Sequence, residues 1–136
     1  MKELARSALE LRDLIERFAA LSEGALRACT TADTAVLTAT LDARELLLTR
    51  ANHLAATLRA RRAAMSPADR ASLDALLLPV QRAADHAAAA NQRVRAAAAR
   101  SREDVARQLD QLRVETGAAA AYGQQGPALV AFDAVR

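Results

Sequence analysis

The groups in this chain able to do chemistry are few and far apart: His53, His86, Cys29 and a set of arginines. A metal site needs three or four ligands brought close, usually visible as short-range His or Cys spacing. Here the histidines lie 33 residues apart and Cys29 has no CxxC partner, so neither a metal site nor a cofactor site is expected. Asp85 precedes His86, but adjacent helical residues do not share a face. One cysteine closes no internal disulfide. Ala28 and Thr30 offer it no base, which predicts an idle or buried thiol. Three of the four glycines follow residue 116, leaving no glycine loop to cradle a phosphate. A Ser-His-Asp arrangement converges only in the fold, and no residue pattern here favours one. The expectation is a protein that is not an enzyme.

His53, in RANHLAATLR, carries one explicit alternative. Histidine phosphotransfer domains present an exposed histidine on a bundle helix, followed by a lysine and a small residue that stabilise the phosphoryl group. Here Leu54, Ala55, Ala56 and Thr57 follow, and Arg59 is the nearest cation in sequence. A structural or surface histidine is the competing reading.

The arginines raise a second alternative. The chain holds eighteen arginines and one lysine, for a net charge of +3. Residues 50–102 carry ten arginines against three aspartates, net +7, while residues 1–49 and 103–136 are each net −2. Such a middle attracts acidic surfaces. Arg59, Arg61 and Arg62 cluster, as do Arg93, Arg95, Arg100 and Arg102, but no aromatic side chain lies among them to stack on bases. No nucleic-acid partner is expected, and contacts of this kind would fade at about 150–200 mM salt.

The elements that position these groups read as helices throughout. Of 136 residues, 52% are apolar but only 2% aromatic, and alanine and leucine dominate. Leu4, Ala8, Leu11, Ile15 and Phe18, widened by Leu14 and Leu21, mark a first helix from residue 3 to about 28. Asp13–Arg17 and Glu23–Arg27 are i,i+4 pairs on its wet side, and Gly24 weakens it locally. Thr31 or Asp33 caps a second helix, about 34–64, with a stripe of Leu37, Leu41, Leu47, Leu48, Ala51, Leu54 and Leu58. Ser66-Pro67-Ala68-Asp69 is a strong helix start: a serine cap, proline at the first turn and an acid three on. Pro79 predicts a kink, or an end near Leu78. Val80, Ala84, Ala87, Asn91, Val94, Ala98, Ser101, Val105 and Leu112 then hold a heptad-like rhythm over 80–116, about 55 Å of helix, with Gly117 as its stop. The predicted fold is all-α, an antiparallel up-and-down bundle of three or four helices with a long C-terminal helix. It forms one domain over residues 1–126, with 127–136 as a tail. The charged start resembles no signal peptide and no window reaches the roughly 18 apolar residues of a membrane span, which predicts a cytoplasmic chain.

Ala83 to Ala99 holds ten alanines in seventeen positions. Alanine allows close helix approach but adds little apolar area, at roughly 0.8 kcal/mol per buried CH₂. Asn91 falls on the inward rhythm, where it needs a partner and can set register. Val105, Leu109, Leu112 and Val114 return to larger side chains late in the helix. A helix longer than its neighbours leaves such residues uncovered, a binding face for an amphipathic helix of another protein. A generic helical scaffold that forms homo-oligomers satisfies the same pattern.

Three stretches together resemble FlgN-type flagellar export chaperones over about residues 5–127. They are Asp33 followed by TAVLTATLDARELLLTRANHL, Asn91-Gln92 with Val94 ahead of the late helix, and Ala121-Tyr122-Gly123-Gln124-Gln125-Gly126, which is similar to a terminal Tyr-Gly-x-x-Gly signature. Pro79, the alanine content and a single Asn91 in place of an asparagine pair depart from the family pattern. The resemblance implies a non-enzymatic, cytoplasmic carrier of hook–filament junction proteins, which grips a terminal segment that folds as a helix on the chaperone. By the resemblance, the client binds along Val94, Ala98, Val105, Leu109 and Leu112. Tyr122 and Gly123 then contact the export gate at the membrane. The other reading of Tyr122 is a ring against the bundle end with its hydroxyl in water.

Overall fold

The computed structural model describes the backbone of residues 1–121 and the side chains through Gly117. Three helices follow one another: α1 (Lys2–Thr31), α2 (Thr34–Ala63) and α3 (Pro67–Ala121). No strand occurs among the described residues. The chain divides into two compact units, Met1–Ala97 and Ala98–Arg136.

Local chemistry sets the helix ends. Ala32 takes the left-handed conformation (φ 55°), and its amide, with that of Asp33, bonds back to the Ala28 carbonyl. Asp33 rather than Thr31 caps α2: its Oδ1 accepts from the Val36 amide at 3.1 Å, whereas the Thr31 hydroxyl bonds back to the Arg27 carbonyl. Ser66 Oγ accepts from the Asp69 amide at 3.2 Å and donates to the Asp69 carboxylate at 2.7 Å. Asp69 thus locks the cap hydroxyl, where a capping box would have it take a backbone donor. Arg70 adds a clamp across the turn, donating to the carbonyls of Arg62 and Ala63 at the end of α2.

α1 runs through Gly24, which lies half-buried in mid-helix. Two expected helix ends are corrected. Pro79 does not end a helix near Leu78: α3 runs through it. Proline withholds its bond from the Ala75 carbonyl, but Ala75 and Pro79 are both exposed, so water satisfies the freed oxygen. Gly117 does not stop α3, which continues to Ala121. Of the two i,i+4 pairs, Asp13–Arg17 forms at 3.0 Å. Glu23 turns instead to His86, 3.7 Å away on α3.

The core of residues 1–97 joins Leu4, Ala8, Leu11 and Leu14 of α1, Ala51 and Leu58 of α2, and Leu73 and Val80 of α3. Ile15, Leu47, Leu54, Met65 and Leu77 close around it. Contacts between helices fall in order. Glu3 meets Arg61 at 3.3 Å, and fifteen residues along α1 Phe18 meets Arg44. Arg62 meets Asp74 through two bonds, at 2.7 and 2.8 Å, and further on Arg44 meets Asn91.

Candidate functional site

Counting along α2 by alternating fours and threes from Leu37 gives 41, 44, 48, 51, 55 and 58, so the helix period turns residue 44 inward with Ala51 and Leu58. That residue is Arg44, only 8% exposed. It donates from Nη2 to Oδ1 of Asn91 on α3, and its guanidinium lies 4.8 Å from the centre of the Phe18 ring on α1. One polar group therefore ties all three helices. Its Nε meets no hydrogen-bond partner among the described residues. Burial holds its pKa below that of an ordinary arginine, and the nearby charge of Arg95 adds to this. Asn91 has the buried partner its inward position requires. Arg44 was the signal missed: its place in the stripe was visible, but a charged residue is normally assigned to the wet side.

Phe18 and Asn91 also line an apolar groove of about 480 Å³ within residues 1–97. Leu11, Ile15 and Phe18 of α1 line it, with Leu48, Asn52, Ala55 and Arg59 of α2 and Gln81, Ala84 and Ala88 of α3. Its volume is that of a ligand or helix-docking cleft. Its polar groups are amides and the guanidiniums of Arg59 and Arg62, and no carboxylate lines it. Its lining includes alanines of α2 and α3, among them Ala55, Ala84, Ala87 and Ala88, whose short side chains fill little of it.

The residues expected to bind a client do not share one environment. Val94 is 5% exposed and belongs to the core of residues 1–97, and Ala98 is half-buried. Val105 and Leu112 are 51% and 40% exposed, and Leu109 is half-buried. Val114, which the sequence grouped with these as an uncovered late residue, is 73% exposed. Within residues 98–117 Ala98, Val105, Leu109 and Leu112 share one helix face, while Val114 points to the opposite one, beside the Asp104–Arg107 and Asp110–Arg113 contacts. Tyr122 and Gly123 lie outside the described residues.

The other reactive groups remain dispersed. His53 is exposed on α2 and its backbone carbonyl accepts from Thr57. Cys29 is a half-buried free thiol. No group of three metal-ligating side chains occurs among the described residues, and no helix there is long and apolar enough to cross a membrane. No family model, curated protein or solved structure matches the chain.

Proposed function

We propose that the chain is a flagellar type III export chaperone, a cytoplasmic bundle that captures the terminal helical segments of hook–filament junction proteins and carries them to the export gate. The observation that carries the proposal is the apolar stripe of residues 98–112, with Val105 and Leu112 open to solvent beside the half-buried Leu109. Soluble surfaces rarely keep such a stripe without a partner, and a helix lying along it would match its spacing. The resemblance through Asp33, Asn91 and the Tyr122-Gly123 segment supports the same role.

The scaffold is an up-and-down antiparallel bundle. Its support is the order of contacts: as positions rise on α1 from Glu3 to Phe18, their partners on α2 fall from Arg61 to Arg44. From Arg62 back to Arg44 on α2, partners on α3 rise from Asp74 to Asn91.

The test is titration calorimetry of the full chain against purified hook–filament junction proteins. Burying two leucines is worth about 1.5–3 kcal/mol each, so Leu109→Asp with Leu112→Asp should weaken binding by roughly 100-fold or more. Both positions lie in an exposed stretch, so far-UV circular dichroism should stay unchanged. Undiminished affinity in that variant sinks the assignment of the stripe.

A further inference from the structure

The groove of residues 1–97 is lined by all three helices, as a fourth helix of a bundle would need: Leu11, Ile15 and Phe18 come from α1 and the rest from α2 and α3. A fourth helix laid there would cover Phe18, Leu48 and Ala55 at once. Its lining runs from Leu48 to Arg62 on α2 and from Leu77 to Asn91 on α3. Fifteen helical residues on each side give a seat about 21 Å long.

The same molecule contains a helix that fits this description. Residues 103–117 are helical, fifteen long, and present Val105, Leu109 and Leu112 at helical spacing. They carry Glu103, Asp104, Asp110 and Glu115 against Arg107 and Arg113, net −2. The groove is lined by the Arg59 guanidinium and by amides with no acid, Arg62 being already held by Asp74, and its α2 and α3 walls from residue 51 on belong to the stretch 50–102 that is net +7. Apolar spacing and the sign of the charge agree.

We propose that the groove is occupied by residues 103–117 of a second copy of the chain. A reciprocal exchange fills both grooves and closes a dimer, so no apolar face is left to propagate assembly. The occupant's acidic flanks meet Arg59 and the surrounding arginines, so the association weakens as salt rises. This inference does not rest on the chaperone reading: the dimer is measured with no client present, and a client taking the same Val105–Leu109–Leu112 face would have to displace the second copy.

The test is light scattering after gel filtration of the full chain over a range of concentrations, with two variants. The wild type should pass from the mass of one chain to that of two as concentration rises. Ala55→Glu with Ala88→Glu, which puts acids into the groove, should remain monomeric, as should Leu109→Asp with Leu112→Asp. Mixing the two should restore a dimer, since one groove and one stripe remain intact. If the double glutamate variant fails to fold by circular dichroism, Ala88→Trp fills the groove from an exposed position and serves in its place. A wild type that stays monomeric at every concentration overturns the proposal. So does a dimer that groove variants leave intact, which would mean the stripes pair with each other.

Discussion

Replacing Asn91 with alanine should destabilise the protein, and removing Arg44 as well should restore most of what was lost. A hydrogen bond to a charged group contributes about 1.5–3 kcal/mol. In Asn91→Ala the Arg44 Nη2 loses its side-chain acceptor and depends on groove water, beside an Nε with no partner among the described residues. A cost of about 2–3 kcal/mol follows. Arg44→Met differs in kind. It removes a buried cation that no carboxylate among the described residues offsets, and ends its repulsion with Arg95. It loses the contact over Phe18, worth about 0.5–2 kcal/mol. Asn91, which lines the groove, then turns to water. Exchanging a buried charge for an apolar side chain of similar size is often neutral or stabilising, so Arg44→Met should change stability by no more than about 1 kcal/mol.

The double variant decides between mechanisms. With the cation gone, Asn91→Ala strands nothing, so the pair together should be more stable than Asn91→Ala alone by about 1–2 kcal/mol. Urea unfolding of the full chain, followed by far-UV circular dichroism, measures all four states. The reasoning fails if Asn91→Ala costs less than about 0.5 kcal/mol. It fails equally if Arg44→Met costs as much as a truncated core leucine, about 2–5 kcal/mol, and the two losses add.

Ala32→Gly should stabilise the protein by about 0.5–1 kcal/mol in the same assay, because an L-residue at φ 55° is strained and glycine is not. No gain there would mean the left-handed turn is relaxed in solution. Asp74 should titrate below a free aspartate in carbon NMR, because its hydrogen bonds with Arg62 hold the carboxylate charged. The pair stabilises above the unfolded aspartate pKa of about 3.9 and is lost as pH falls through the lower folded value. Arg62→Ala should bring the midpoint back up, and an unchanged midpoint refutes the pairing.

Much of the fold was legible because short-range chemistry governs helix ends. Asp33 and Ser66-Pro67 declare where α2 and α3 begin, and the α1 stripe from Leu4 to Leu14 is the buried face. Pro79 and Gly117 misled because each costs a helix a limited amount where its backbone faces water. Arg44 was hidden by its charge, although its position in the period was plain. The groove was not legible for a deeper reason. Periodicity tells which positions face inward, and it names Ala55 and Ala84 as readily as Leu58 and Val80. Whether opposing side chains fill the space between two helices depends on which residues meet across it, and that pairing appears only once the helices are placed. Alanine opposite leucine closes a layer, whereas alanine opposite alanine leaves room for a third side chain. The groove, lined from α1, α2 and α3 alike, is therefore a property of how the three helices are placed. Ala88→Leu should narrow it without altering either helix.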